Sequence, residues 1–429
     1  MERVLIKNLE ENKVSKISGM VSKVRDTKYM VFIMLKDRSS FIQVSIDKNE
    51  QQELASEAVK ITNGSIVSFE GIMKFSEYVK NGGKEFIPES LEIISLADII
   101  PLEENANPDT KLDYRWLDLR SEKNEFLYDI QSCFVKYMRE YLYKEDFTEI
   151  HTPKLLGAAS ESGSDVFEVK YFDTKAYLAQ SPQFYKQMAI ASGIERVFEV
   201  APAFRAENSN TNRHCTEFTS FDVEFAYINS FKEVMHLEQE MLKYALSKLK
   251  SEYGELIKER YGIEVVVPVG DFPIVKLEDL LNELNKRYGY VIPTKDIGDM
   301  NAETEKLAYR YAMEEFNSEF IFVTDFKKEK RAFYHMREND IPQGFDLIWR
   351  GMEITTGAQR EHRYEILKQQ ADEKGLGKDV EFYLQFFKYG CAPHGGFAIG
   401  VDRITLLLLG LDHIRDAQFI FRSPNRLNP

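Results

Sequence analysis

Around residue 210 the chain gathers side chains that can grip a nucleotide. Phe204-Arg205-Ala206-Glu207 leads into a polar loop ending in Arg213-His214, and Thr216-Glu217-Phe218-Thr219-Ser220-Phe221-Asp222-Val223-Glu224 follows. The second segment alternates, so Phe218, Ser220, Asp222 and Glu224 share one side of a strand while Val223 and Phe225 take the other. A ring beside carboxylates, with guanidinium groups supplied by a hairpin loop, suits a nucleotide. The ring stacks a base, arginines take phosphates, and carboxylates hold an amine or a metal ion. A solvated strand face laced with ion pairs has the same pattern, and these residues alone leave both readings open.

Three segments together resemble the class II aminoacyl-tRNA synthetases. Phe204 to Glu224 resembles their motif 2, in the form used by the aspartate enzymes. Phe147-Thr148-Glu149-Ile150-His151-Thr152-Pro153, with the helix leading into it, is similar to motif 1. Gly395-Gly396-Phe397-Ala398-Ile399-Gly400-Val401-Asp402-Arg403 is similar to motif 3. The motifs stand in the family's order, and the resemblance, to the archaeal and eukaryotic type, covers nearly the whole chain.

The resemblance implies roles residue by residue. Arg205 contacts the α-phosphate of ATP, and adenine lies between Phe218 and Arg403. A flat guanidinium can stack on a base where an ammonium cannot. Glu207, Arg213 and His214 fix the adenine and phosphates. Asp346 and Glu353 are the Mg²⁺ carboxylates, with Thr356 where the family usually has a serine, and Glu353 also reaches ATP. On one regular strand residues seven apart face opposite sides, so a bulge at Gly351 is required to bring Asp346 and Glu353 together. Lys186 and Arg360 grip the side-chain carboxylate of L-aspartate. Gln183, Asp222 and Glu161 surround its ammonium group, with Thr356 nearby. Two cations suit an anionic substrate side chain and reject the neutral amide. No general base is obligatory, since a free carboxylate already attacks; positioning and charge stabilisation carry the reaction, with Arg205 and Arg403 as catalytic residues.

The sequence departs from the family pattern in places. Ser162 replaces a glycine in a mobile loop, Ser160 to Ser164, that closes over aspartate. Ala398 replaces a glycine and Ala392 a proline around motif 3, and Phe421 and Ser423 stand where Pro and Asp are usual. These concern fine geometry, because every charged residue expected in the site is present.

The elements that must position these groups fall into two blocks. Residues 13 to 98 alternate like short strands, as in Lys16 to Val21, Tyr29 to Leu35, Phe41 to Val44 and Ser65 to Phe69, with a helical stretch from Gln51 to Lys60. Five strands and one helix make the pattern of an OB-fold barrel, which binds single-stranded nucleic acid. Within it, by resemblance, Phe32, Gln43 and Glu85 read the tRNA anticodon, although an aromatic residue in a small barrel is more often core. The expected fold class is α+β: an OB-fold anticodon-binding domain over 1-100, a linker over 101-119, and a mostly antiparallel catalytic sheet flanked by helices over 120-429. Amphipathic spacing predicts helices over Glu125 to Tyr143 and Lys232 to Lys250, and a helical insertion around 255-320.

Composition sets the outer limits. At 429 residues, 43% hydrophobic and 13% aromatic, the chain can bury a large core and is expected to hold two domains. It shows no signal peptide or membrane-spanning run, and Cys133, Cys215 and Cys391 lack metal-site spacing, so a reducing cytoplasm is expected. The net charge of −14 speaks against nucleic acid globally, but binding depends on local potential. Basic clusters at Lys327 to Arg331 and Lys74 to Lys84 are candidate tRNA contacts or solvated faces. The implied partners are tRNA-Asp, with tRNA-Asn left open, L-aspartate, and a second copy in a homodimer through motif 1. The rivals are an asparaginyl-tRNA ligase, opposed by Lys186, and a non-catalytic tRNA-binding paralogue, opposed by the retained charges.

Overall fold

A computed structural model describes residues 1–79, 83–103, 105–157, 166–208 and 211–429. It divides into two compact units, Met1–Asp118 and Leu119–Pro429. The first is built on strands β1 (Val14–Asp26), β2 (Met30–Lys36), β3 (Phe41–Asp47), β4 (Ile66–Phe75) and β5 (Lys84–Ser95), with helix α1 (Gln52–Ala58) after β3. Their pairing order, β1–β2–β3–β5–β4, returns to β1, with only β3 and β5 parallel. Val31, Ile33 and Leu35 of β2 and Val44 and Ile46 of β3 are fully buried, as are Val67, Phe69 and Phe86. Burial of each such side chain stabilises the unit by roughly 1.5–3 kcal/mol. The alternate residues of β2, Met30, Phe32 and Met34, stay partly exposed, which places Phe32 outside the core.

The stretch read as a linker contains helices Pro108–Asp113 and Arg115–Asp118. Asn107 caps the first by accepting from the Thr110 N–H, with Pro108 in the opening turn. An Asn-Pro pair that looks like a turn in sequence is here a helix start.

The second unit is organised on an eight-stranded sheet. Its strands are β6 (Thr148–Glu149), β7 (Arg196–Phe204), β8 (Glu217–Ala226), β9 (Ile274–Lys276), β10 (Phe320–Thr324), β11 (Gly344–Trp349), β12 (Met352–Arg360) and β13 (His394–Gly400). They lie in the order β9–β10–β11–β12–β13–β8–β7–β6, antiparallel except for the outermost pair at each end. Helix α2 (Glu122–Lys144) packs on helix α4 (Phe231–Tyr261), and α3 (Gln183–Ala191) lies against β7 and β8. Helices α5 (Leu277–Tyr288) and α6 (Ala302–Phe316) fill the expected insertion, and α7 (Val401–Leu409) follows β13 directly.

Helix α4 runs past the predicted end at Lys250. Its start is a capping box of Ser230 and Glu233, and it stops at Gly262, whose φ of 70° lies in the left-handed region. Ile257 stays fully buried, and Tyr253 and Tyr261 pack on Phe126 of α2, so the last turns are held by tertiary contacts. Among the described residues, no helix is long and apolar enough to cross a membrane.

Candidate active site

The sheet register assembles the site floor. Asp346 of β11 pairs with Thr356 of β12, Thr356 with Ala398 of β13, and Ala398 with Asp222 of β8. One rung across four strands thus aligns two carboxylates, a hydroxyl and a methyl group on one face, since directly paired residues point the same way. Two residues along β8, Glu224 pairs with Gly396, which pairs with Ala358. A Cβ at Gly396 would lie 2.3 Å from Glu224 Oε2 and 2.0 Å from the Val223 carbonyl oxygen, so glycine is required for this close approach. Ala398 stands on the same face between Thr356 and Asp222, where the expected pattern has glycine. The opposite face carries Phe221 and Val223, both fully buried, and α4 covers it through Val234.

The two carboxylates expected at a metal ion meet by a route different from the one expected. Asp346 and Glu353 belong to two strands of a hairpin, turned at Arg350 and Gly351 with φ of 48° and 84°. Consecutive positive φ values give the two-residue turn that matches strand twist. Gly351 is therefore in the turn, and the register shift falls at Ile354, between the Ile348–Glu353 and Leu347–Thr355 pairs. The shift sets Thr356 opposite Asp346. The Thr356 hydroxyl lies 2.9 Å from Asp346 Oδ1 and 3.3 Å from Glu353 Oε1.

Arg331 grips Asp346 from the other side, with Nη1–Oδ1 2.8 Å and Nη2–Oδ2 2.6 Å, and its guanidinium lies 3.5 Å over the Phe326 ring. The Lys327 to Arg331 cluster is thus not a uniform basic surface. The Arg331 side chain is 8% exposed and pairs within the site, Lys328 pairs with Asp340 at 3.0 Å, and Lys330 donates to the Lys295 carbonyl. Burial pushes the Asp346 carboxyl up to about 6 against the pull of Arg331, with Glu353 adding to the rise. Asp346, Glu353 and Thr356 are hard oxygen donors of the kind Mg²⁺ takes. Among the described residues no cluster of three or more acidic, His or Cys side chains forms a closed cage, so the set fits an ion shared with a substrate's phosphates.

Every residue expected at ATP lines one concavity: Arg205, Glu207, Arg213, His214, Phe218, Glu353 and Arg403, with Thr356 and Ala398 on its floor. The Arg205 guanidinium sits 5.2 Å from the Phe218 ring centroid. Arg403, near the start of α7, donates to the Glu353 carbonyl at 2.9 Å and lies 3.7 Å from its carboxylate. Its neighbour Asp402 is held by two hydrogen bonds, accepting from Gln418 Nε2 at 3.0 Å and the Thr219 N–H at 3.3 Å. His214 is held below its ordinary pKa by burial and by Arg403 and Arg213, so it faces the concavity neutral.

A second, buried cluster adjoins the floor. Lys186 of α3 is fully buried, with Nζ 2.9 Å from Asp222 Oδ1 and 3.5 Å from Glu224 Oε2. Arg360, at the end of β12, donates through Nε to Glu224 Oε1 at 3.0 Å. Its Nη2 reaches Gln183 Oε1 at 3.3 Å and the Gly396 carbonyl at 3.0 Å. Glu224 is the residue the role assignment missed. Burial works to raise its carboxyl, but Arg360 and Lys186 outweigh that and hold it below the ordinary range. Its place on the Asp222 face was the available signal. Gln183 is anchored further by Gln187, which also contacts His394 and accepts from the Tyr383 hydroxyl. Glu161 and Ser162 lie outside the described residues.

On the first unit, Phe32, Gln43, Met34, Lys23, Arg25 and Tyr78 line a shallow concavity. Arg25 sits 4.5 Å over the Phe32 ring. Gln43 Nε2 donates to Ser45 Oγ at 3.2 Å, and Ser45 donates to Glu85 Oε2 at 2.6 Å, so two of the expected readers, Gln43 and Glu85, share one network, and Phe32, which pairs with Ser45, shares their face. Lys80 to Gly82, in the neighbouring basic hairpin, lie outside the described residues.

Residues 107–422 match the family described as tRNA synthetases class II (D, K and N), and residues 16–94 match the OB-fold nucleic acid binding domain. The chain is 38% identical to an aspartate–tRNA(Asp/Asn) ligase of Aeropyrum pernix, covering 96% of this chain and 95% of that protein. It is 39% identical to an aspartate–tRNA(Asp) ligase of Pyrococcus horikoshii, covering 96% of each. Among solved structures, the asparaginyl-tRNA synthetase of Pyrococcus horikoshii with asparaginyl-adenylate superposes with a TM-score of 0.92 at 31% identity, covering 100% of both chains. With two ordered sites of this geometry and matches of this extent, the chain belongs to the class II tRNA synthetases of the D, K and N group and carries their OB-fold nucleic-acid-binding domain.

Proposed function

We propose that this chain is an aspartate–tRNA ligase. It activates L-aspartate with ATP to aspartyl-adenylate and transfers the aspartyl group to the 3′ end of tRNA-Asp. The carrying observation is the pair of buried cations, Lys186 and Arg360, converging on Glu224. Among the described residues, Arg360 Nη1 makes no hydrogen bond, and Lys186 Nζ has one short contact and two of 3.5 Å. Both cations keep capacity for an incoming carboxylate, whereas a neutral amide would leave that capacity unmatched in a buried pocket. The curated relatives named above are aspartate–tRNA ligases. The asparaginyl reading is favoured only by likeness of fold, which the subgroup shares.

The chemistry follows from placement. The α-carboxylate of aspartate attacks the α-phosphorus of ATP, the bond to the β-phosphate oxygen breaks, and pyrophosphate leaves. Gln183 and Asp222 orient the ammonium group, and Phe218 and Arg403 hold the adenine. Arg205 and Arg213 meet the phosphate charge in a partly enclosed site where such contacts are strong. Asp346, Glu353 and Thr356 would hold Mg²⁺, which supplies charge neutralisation to the phosphates when bound. The Phe32, Gln43 and Glu85 face takes the anticodon by stacking and hydrogen bonding. Motif 1, with Pro153 exposed beside β6, is the homodimer contact in this reading.

Aminoacylation with labelled aspartate and with labelled asparagine, on separate tRNA-Asp and tRNA-Asn transcripts, tests the reading. Charging of tRNA-Asp by aspartate is expected. Charging of tRNA-Asn as well would define a non-discriminating enzyme, and charging by asparagine alone would overturn the proposal. If neither is charged and pyrophosphate exchange is absent, the chain is a non-catalytic paralogue.

A further inference from the structure

Helix α6 lies in the insertion, outside the three motifs, yet its first turn reaches the nucleotide concavity. Glu305 is 2% exposed. Its Oε2 accepts two hydrogen bonds, from Arg213 Nη1 at 2.5 Å and from the Glu353 backbone N–H at 2.9 Å. One buried oxygen therefore ties the loop between β7 and β8 to the start of β12. The turn that carries it is itself fixed: Asn301 Oδ1 caps α6 by accepting from Glu303 and Thr304, and the Tyr290 hydroxyl contacts both Asn301 and Thr304.

The partner is held at one edge only. Among the described residues, the Arg213 side chain hydrogen-bonds through Nη1 alone, so the other N–H groups of its guanidinium remain to face the concavity it lines. An arginine on a loop carries large rotamer entropy, and a buried carboxylate at its back lowers the cost of presenting it to a phosphate. A pairing made only for fold stability has no need of a guanidinium edge in the pocket. We propose that Glu305 is a positioning residue for ATP, which presents the Arg213 guanidinium and fixes the Glu353 end of the hairpin, making the insertion a working part of the active site. The inference rests on the reading of Arg213 as a phosphate-binding residue.

The test compares E305Q, R213A and the double variant in ATP–pyrophosphate exchange, with ATP binding by calorimetry in the absence of aspartate. Glutamine can still accept from the Glu353 N–H but loses the charge that holds Arg213. The expected result is a rise of roughly fivefold or more in KM and Kd for ATP in E305Q, with KM for aspartate within about twofold. The double variant should be no worse than R213A, because the two residues act as a unit. An unchanged ATP affinity in E305Q beside a weakened R213A overturns the inference and leaves the reading of Arg213 standing. An unchanged R213A removes that reading and the inference with it. Equal losses for ATP and aspartate assign Glu305 to the fold alone. If E305Q does not fold, E305D keeps the charge but withdraws it by one methylene, and unchanged ATP affinity there is equally decisive.

Discussion

The Lys186 ammonium lies 2.9 Å from Asp222 Oδ1, with side chains 0% and 2% exposed. Ions this deep persist only when matched, and Lys186 also serves Glu224 at 3.5 Å. Lys186→Ala is expected to abolish aspartate activation while ATP binding stays largely intact. It should also destabilise the fold by roughly 3–5 kcal/mol, since two carboxylates lose a shared counterion. Pyrophosphate exchange and ATP calorimetry on the same folded sample separate the effects. Comparable loss of both substrates would give Lys186 a different task.

Asp346 is expected to serve both Arg331 and the phosphate-bound ion. Asp346→Asn keeps the shape of the pair but removes the charge that Arg331 grips through two nitrogens. The Mg²⁺ concentration for half-maximal exchange should rise about tenfold or more, one full carboxylate being lost from a small donor set. A thermal melt in the absence of Mg²⁺ reads the cost to the Arg331 pair separately. A lowered melting point with an unchanged Mg²⁺ requirement would reduce Asp346 to a structural anchor.

Much of this site was legible in the residues because it depends on period-two alternation. Phe218, Ser220, Asp222 and Glu224 do share a face, whereas Phe32, for which a core place is the commoner expectation, stands outside the core. Pairing between distant segments was not legible. Asp346 and Glu353 were set on one strand because nothing local marks Arg350 for positive φ. Arg331 looked like one basic residue in a surface run, since its partner Asp346 comes from strand β11, beyond the loop that carries Arg331. Glu305 gave no signal at all. It sits in an ordinary amphipathic helix, and only the fold brings it to Arg213. The last turns of α4 were missed because apolar spacing thins after Leu249, although Gly262 offered a stop signal.

Glu85 can be separated from the chemistry. Its carboxylate orders Ser45 and, through it, Gln43 on the first unit. Glu85→Ala should weaken tRNA charging, by about 1–3 kcal/mol in kcat/KM for tRNA if a base contact is lost, and leave adenylate formation unchanged. An unaltered charging rate would remove this face from recognition.

Glu238 gives the pH dependence a definite sign. It lies in α4 beneath the sheet, fully buried, and neither carboxyl oxygen has a hydrogen-bond partner among the described residues. Burial raises its carboxyl to about 8. The folded protein therefore keeps this proton where the unfolded chain has released it. Stability from this group is fully present below the ordinary carboxylate range and is lost as the pH rises toward and through about 8. His394 acts in the opposite sense at lower pH. Burial depresses it to about 4, so acidification from 6.5 to that value favours the unfolded chain. Glu238→Gln keeps the shape and cannot ionise, so the variant should be more stable than the parent at pH 8 by a few kcal/mol and nearly equal to it at pH 5. Denaturant melts at the two pH values decide the matter. A parent and a variant whose stabilities differ equally at pH 5 and pH 8 would mean that Glu238 is already ionised in the fold, with a counter-charge or water beneath β12 to hold it.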